Sequence, residues 1–282
     1  MTTGAILFAQ NNPEIDYIKL AAFAAKRVKE HLGIPVSIIT DSRSWLLESQ
    51  PDHVFDKIID IENIETTQKK KFNDGSLSFK FLNWKNLSRS QVYDLSPYDR
   101  TLVLDSDYII NSDILKSAID NDYDFQIYKK STDLAVGRDV SGYERINSYS
   151  IPFYWATVFV FQKNEIMQAF FDLITYIKLN WEYFKILYGI DNSLFRNDYA
   201  FSIAIHIMNG KTNGEFATAL PGTMTYISDS DILIKTSGDS MQFLVEKHNY
   251  IGEYLIAKTS GIDIHVMNKL SLSRYIDGGS GV

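Results

Sequence analysis

An α/β fold is predicted for this 282-residue chain from two stretches. The first is Arg100-Thr101-Leu102-Val103-Leu104-Asp105-Ser106-Asp107-Tyr108-Ile109-Ile110, where an apolar run passes straight into two carboxylates one residue apart. A short apolar run of this kind reads as a strand buried on both faces, as in a parallel sheet. In α/β folds ligands bind beyond the C-terminal ends of such strands. The second stretch is the N-terminus, where an apolar strand, a helix-period segment and another apolar strand follow one another as a βαβ unit.

Taking the elements in order, residues 6–9 are the first strand. Asn12 is a suitable N-cap and Pro13 a suitable first helical residue. The helix then carries Ile15, Ile18, Ala22, Ala25, Val28 and Leu32 at spacings of three and four, and Gly33 stops it. A second strand over 34–39 ends at Thr40-Asp41, a short helix covers 45–50, and 58–61 is a third strand. Residues 69–89 are basic: Lys69, Lys70, Lys71, Lys80, Lys85 and Arg89 stand against Asp74 alone, interleaved with Phe72, Phe79, Phe81 and Trp84. This mixture suits a nucleotide diphosphate or a nucleic-acid backbone with splayed bases. The other reading, favoured for Lys69 to Lys71, is a solvated loop followed by an amphipathic helix.

Asp105 and Asp107 share one side of an extended chain, since side chains alternate with period two. Two hard oxygen ligands so placed can hold Mg²⁺ or Mn²⁺, with phosphate oxygens filling the shell. Beyond them, Asn111 or Ser112 can start a helix through Ala118, and 124–128 is a strand. Residues 129–150, with Arg138, Asp139 and Arg145, are polar and aperiodic and read as a loop over the site that orders on ligand binding. An aromatic-then-small segment, Phe153-Tyr154-Trp155-Ala156-Thr157, leads into a strand. Asn164 caps a helix reaching about 187, with Ile166, Phe170, Leu173, Ile174, Ile177, Trp181 and Phe184 on one face. Another helix opens at Arg196-Asn197-Asp198 and ends at Gly210, and His206 inside it reads as a buried, hydrogen-bonded histidine. Strands follow at 224–227, 232–234, 243–245 and 262–266, and the last runs into His265-Val266-Met267-Asn268-Lys269.

Apolar content of 45% and charged content of 22% describe a globular chain, organised as one domain over 1–276 with a glycine-rich tail or linker at 277–282. There is no cysteine, so disulfides, thiolate catalysis and zinc-thiolate sites are excluded. The opening apolar run is too short for a signal peptide, and no run approaches a membrane span. These features fit a cytoplasmic protein. The net charge of -7 speaks against a surface that coats nucleic acid, though not against a local basic patch.

The order of these motifs resembles that of GT-A glycosyltransferases, in particular the glycogenin-like and bacterial galactosyltransferase group. It also resembles nucleotide-sugar transferases encoded by large tailed phages, through Phe153-Tyr154-Trp155-Ala156-Thr157, Arg196-Asn197-Asp198-Tyr199-Ala200-Phe201 and His265-Val266-Met267-Asn268-Lys269. The resemblance covers most of residues 4–276. It implies a Rossmann-like mixed sheet flanked by helices, with an Asp-X-Asp metal site.

What the resemblance implies for single residues is as follows. Asp105, Asp107 and His265 hold the metal, Mn²⁺ or Mg²⁺, and an imidazole favours Mn²⁺. Lys269 binds the diphosphate. Ala9, Asn11 and Asp41 contact the donor nucleoside, although Asn11 and Asp41 are also ordinary turn residues. Arg89, Asp105, Ser106, Trp155 and Thr157 contact the donor. Asn197 and Asp198 match an acidic motif that faces the reacting sugar. Asp198 is then an acceptor-orienting base or a stabiliser of positive charge at the anomeric carbon; the other reading is an acid in the first turn of a helix. Two departures stand out: Tyr154 to Thr157 lack the family's Asn-Ser/Ala-Gly chemistry, and Met267-Asn268 replace a glycine.

The implied activity is transfer of a sugar from a UDP-sugar with retention of configuration. The acceptor is a hydroxymethylated base in phage DNA or else a glycan, and a phage-encoded chain would work in the infected cell's cytoplasm. Two alternatives stay open. A nucleotidyltransferase shares the sheet and the carboxylate pair but opens with a glycine-rich loop, which Gln10-Asn11-Asn12-Pro13 lacks. A non-catalytic nucleotide-sugar-binding module is the other. Oligomeric state is not legible.

Overall fold

The computed structural model describes residues 1–62, 68–85, 89–135, 138, 143–147, 150–191 and 194–278. Asp139 and residues 279–282 lie outside the described residues. The chain opens with β1 (Thr3–Ala9), α1 (Tyr17–Leu32), β2 (Val36–Thr40), α2 (Arg43–Ser49) and β3 (Lys57–Asp60). A hairpin of β4 (Lys69–Asn73) and β5 (Phe79–Asn83) follows, then a 3-10 turn at Arg89–Gln91 leading into α3 (Val92–Leu95). Next come β6 (Arg100–Leu104), β7 (Tyr108–Ile109), α4 (Lys116–Ile119), β8 (Phe125–Tyr128) and β9 (Ser131–Asp133). After β10 (Trp155–Gln162) stand three helices, α5 (Glu165–Leu179), α6 (Trp181–Leu187) and α7 (Asn197–Met208). The C-terminal part holds β11 (Thr218–Ala219), β12 (Met224–Ile227), β13 (Ile232–Ser237), β14 (Ser240–Glu246), β15 (Tyr254–Ser260), β16 (Ile264–Val266) and α8 (Lys269–Gly278).

The fold is α/β, with a central mixed sheet of seven strands in the order β11-β8-β10-β6-β1-β2-β3. β1 pairs in parallel with β2 and β6, while β10 runs antiparallel to β6 and β8. A second sheet, β7-β16-β12-β9, continues from the end of β6, and β13-β14-β15 form an antiparallel sheet of their own. The expectation for β6 holds: Leu102 and Leu104 point into a core shared with Leu20, Ala21 and Ala24 of α1. Val103 points the other way, among Phe170, Ile174 and Phe201 of α5 and α7. A strand covered on both faces needs the continuous apolar run that the sequence carries. No helix among the described residues is long and apolar enough to cross a membrane.

Several boundaries differ from expectation, each for a local reason. The first helix starts at Tyr17, not Pro13, because Asp16 is the cap that accepts the Lys19 N–H at 3.1 Å. Asn12 instead accepts from the N–H groups of Glu14 and Ile15 at 3.0 and 2.8 Å, closing a turn of its own. Gly33 ends the helix in the left-handed region as expected, with φ 69°. Asn164 does cap α5, but the helix breaks at Asn180, whose side-chain amide donates to the Tyr176 carbonyl at 2.9 Å. The helix expected from Asn111 shrinks to α4, because the N–H groups of Asn111 and Ser112 are both held by Asp263 at 2.8 Å. Residues 69–83 form a hairpin rather than a loop and helix, with Gly75 at φ 79° in its turn.

Gly4 on β1 is sterically required. A Cβ there would overlap the ring of Tyr98, and that ring is tethered by a 2.7 Å hydrogen bond between its hydroxyl and Ser37 Oγ. Gly4→Ala is therefore expected to destabilise the fold by about 1–3 kcal/mol through overpacking. A thermal melt checks this, and an unchanged midpoint would mean that the Tyr98 ring moves aside freely.

Candidate active site

At Leu104 the chain leaves the central sheet, and four residues later it enters the second sheet as β7. The passage is a tight turn: the Asp105 N–H donates to the Thr157 carbonyl at 2.9 Å, and the Tyr108 N–H donates to the Asp105 carbonyl at 3.0 Å. Asp105 and Asp107 thus converge through a turn, not through the extended alternation expected of them. The Val266 N–H donates to the Asp107 carbonyl at 2.9 Å, and β16 pairs with β7 so that His265 stands opposite Tyr108. That ladder is what carries His265, far away in sequence, to the carboxylates. Ligand atoms of Asp105, Asp107 and His265 all lie within 4.8 Å of one another.

These three residues face a cavity of about 510 Å³. Its walls come from the ends of β1 and β6, the start of β10, the N-terminus of α7, the start of α8 and the inner face of the β4–β5 hairpin. Asp107 is buried; its Oδ2 lies 3.2 Å from His265 Nε2 and 2.5 Å from Lys269 Nζ. Burial alone would raise its pKa, but the Lys269 charge and the His265 ring outweigh it and hold the carboxyl well below the usual range. Burial likewise pulls the Lys269 ammonium down, and Asp107 more than restores it. His265 Nδ1 is buried and has no hydrogen-bond partner among the described residues. Two carboxylates and an imidazole with an unspent nitrogen form a donor set that fits Mn²⁺ or Mg²⁺.

Other expected residues take more supporting positions. Arg89 donates to Asp105 Oδ1 and to the Ala156 carbonyl, so its guanidinium orients the Asp105 carboxylate. Burial lowers its pKa to about 10, which leaves it charged at neutral pH. Asp198, in the first turn of α7, accepts from the Ala156 N–H at 3.0 Å and from Arg196 Nη2 at 2.7 Å. It therefore ties α7 to β10 while lining the cleft beside Asn197. Ser106, Trp155 and Thr157 also line the cleft, and Trp155 packs on Tyr143 with ring centroids 4.7 Å apart.

Ala9, Asn11 and Asp41 do not line it. Asp41 reaches it indirectly, holding Lys85 Nζ at 2.6 Å. Asn11 accepts from the Ile18 N–H at 3.1 Å and lines a separate, shallow hollow at the start of α1. From the polar segment 129–150, Tyr143 reaches the cleft, whereas Arg138 is committed to Asp231. His206 is only half-buried and rests edge-on against Tyr188.

The cleft also holds residues that the sequence does not single out individually. Arg196 lies over the rings of Phe153 and Tyr199 at 5.8 and 5.4 Å. Asp229, in the turn after β12, accepts from the Asn73 side chain at 2.9 Å and so fastens the hairpin to the C-terminal part. Lys70 projects from the hairpin over the Trp84 ring at 4.9 Å. Lys269, Arg89 and Arg196 each pair with a carboxylate, but Lys70 has none within ion-pair distance among the described residues. Burial, with repulsion from Lys269 and Arg196, brings its pKa down to about 8. A second carboxylate-histidine group, Glu30, His31 and Asp239, lies elsewhere, but Arg27 already pairs with both of its acids.

No family model and no curated protein matches the chain. Among solved structures it is similar to the glycosyltransferase GlyE of Streptococcus pneumoniae TIGR4, with 14% identity and a TM-score of 0.43 over 78% of this chain and 46% of GlyE. It is also similar to the galactosyltransferase LgtC in complex with donor and acceptor sugar analogues, with 14% identity and a TM-score of 0.45 over 77% of this chain and 72% of LgtC. An active-site mutant of LgtC aligns with 13% identity and a TM-score of 0.47, at the same coverage. The chain thus spans about half the length of GlyE.

Proposed function

We propose that this chain is a metal-dependent glycosyltransferase of the GT-A type, moving a sugar from a nucleotide diphosphate sugar to an acceptor. The observation that carries the reading is the convergence of Asp105, Asp107 and His265 in one cleft with Lys269 beside them. Hard oxygen ligands and a fixed ammonium are what a departing diphosphate requires. A divalent ion held by the three residues would act as a Lewis acid on the diphosphate.

The chain's own residues do the rest. Lys269 supplies positive charge where the leaving group becomes negative. Arg89 fixes the orientation of Asp105. Asp198 presents a carboxylate at the cleft wall, held by Arg196 and the Ala156 N–H. A UDP-sugar donor and retention of configuration rest on the motif order, a phage origin on the three quoted segments, and work in the cytoplasm on composition together with that origin. The acceptor is a glycan or a hydroxymethylated base in DNA.

The test is release of nucleotide diphosphate from a panel of nucleotide sugars, with Mn²⁺, Mg²⁺ or a chelator. Slow hydrolysis of one donor, lost on chelation, is the expected result. Binding without turnover under any condition, acceptors included, would make the chain a binding module. Failure to bind any donor would remove the reading.

Lys70 adds a pH signature. A bound phosphate favours the charged amine, and the unliganded amine loses its proton near 8. Donor affinity is thus expected to weaken as pH rises from about 7 to about 9. Isothermal titration across that range checks this, and Lys70→Met should flatten the profile. An equally steep profile in the variant would assign the titration elsewhere.

A further inference from the structure

The β4–β5 hairpin has two faces. Lys70, Lys71, Phe72 and Trp84 line the cleft. The opposite face carries Lys69, Phe79 and Phe81, with Lys71, opposite Phe81 in the ladder, at the edge between the two faces. Phe79 and Phe81 are 53% and 62% exposed and meet edge to face at 5.7 Å, with Lys71 Nζ lying 4.4 Å from the Phe79 ring. At the hairpin tip Leu77 is 82% exposed, and beside it, in the turn between β14 and β15, Ile251 is 80% exposed.

The two turns are locked together. Tyr254 Oη accepts from the Ser76 N–H at 2.8 Å, and Gly75 packs against Ile232. The apolar surface continues onto the outer face of β13–β15. There Ile256, 73% exposed, stands across from Leu244 and, beyond it, Ile232. The next row on the same face is Lys235, Gln242 and Lys258.

Lys69, Lys71, Lys235 and Lys258 form no ion pair among the described residues. Nearby acids are already engaged: Asp74 with Arg274 at 2.6 Å, Glu253 with Lys247 at 2.9 Å, and Glu246 with the Gly252 N–H at 3.0 Å. A chain of net charge -7 therefore gathers unpaired lysines around its exposed aliphatic ridge. Phe79 and Phe81 offer stacking planes, but the ridge beyond them, Leu77, Ile251 and Ile256, offers a nucleic acid neither a stacking plane nor a hydrogen bond. A bilayer accepts all three at its interface, while lysine stems lie along the acyl boundary and their ammonium groups reach anionic headgroups.

The geometry points to a peripheral membrane-docking surface. The hairpin tip and the outer face of β13–β15 rest on an anionic bilayer, with Leu77, Ile251 and Ile256 entering the interface. Because the hairpin's other face lines the cleft, docking sets one wall of the cleft at the lipid surface. This inference does not depend on the transfer reaction, and vesicle binding is read without any donor.

The experiment is co-sedimentation with vesicles of phosphatidylcholine plus phosphatidylglycerol, beside vesicles of phosphatidylcholine alone. Binding to the anionic vesicles, weakened by salt, is expected. The variant Leu77→Ser/Ile251→Ser/Ile256→Ser should lose it while keeping its melting midpoint and its donor hydrolysis. Lys69→Gln and Lys258→Gln should each weaken binding about fivefold. The inference is overturned if the wild-type chain does not sediment with anionic vesicles or if the triple variant sediments equally well. It is also overturned if the same residues prove to be needed for binding single-stranded DNA or for a concentration-dependent dimer in light scattering.

Discussion

Asp107→Ala is expected to abolish metal-dependent release of nucleotide diphosphate, a loss of at least about a thousandfold, because under the proposed function it removes a metal ligand from the point of leaving-group charge. The same change leaves the buried Lys269 ammonium without the carboxylate that lies 2.5 Å from it. Breaking a buried pair from one side costs about 3–5 kcal/mol, so the melting midpoint should fall as well. The two effects separate in Asp107→Ala/Lys269→Met, where the stranded charge is gone. That double variant should regain much of the stability and none of the activity. Turnover within tenfold of wild type in a folded Asp107→Ala protein would exclude Asp107 from the chemistry. The pH dependence has a definite sign. The native Asp107 carboxyl titrates below its unfolded value, so its contribution is complete above about 4 and is lost as pH falls below that.

Asp198→Asn is expected to lower kcat about a hundredfold or more with little change in the donor KM. The amide oxygen of asparagine can still accept the Ala156 N–H that Asp198 accepts at 3.0 Å, so the cleft wall keeps its shape. What disappears is the negative charge on the cleft wall and its pair with Arg196. Steady-state kinetics on the donor identified first would decide. An unchanged kcat would leave Asp198 as an acid in the first turn of α7 that fastens a strand to a helix.

The parts of the fold written plainly in the sequence are those whose residues report one environment each. Leu102-Val103-Leu104 is apolar throughout because both faces of β6 are covered, and Gly33 follows α1 because the chain turns left-handed there. The hairpin was hidden by its composition: Lys69-Lys70-Lys71 suggests solvent, and the alternating Phe79-Lys80-Phe81 shows its aromatics outward. The Asp74-Gly75 dipeptide was the available signal, since it is a hairpin turn in many proteins. β15 and α8 were also unread. β15 is an edge strand with exposed Leu255 and Ile256 where a buried face is usually sought, and α8 begins at the very residue read as a phosphate ligand.

In the site, the two aspartates, His265 and Lys269 were legible through motif order, and the structure brings them together. Asp229 and Lys70 were not. Asp229 meets the hairpin across 156 positions of sequence, and no local pattern encodes that encounter. Lys70 looks like its two neighbours in sequence, and only the pleat of the hairpin sets it over the Trp84 ring while Lys69 stays outside the cleft.

The chain crosses from one sheet to the other between β6 and β7, and the candidate metal ligands sit on that crossing and on the second sheet. An ion held there would rivet a seam, so occupancy and the joining of the two sheets form a single equilibrium. At a hundred times its dissociation constant the ion would add about 2.7 kcal/mol to the unfolding free energy. Scarcity of the ion would then shorten the survival of the folded chain as well as idle it. In cells starved of that metal, the amount of this protein should fall along with its output.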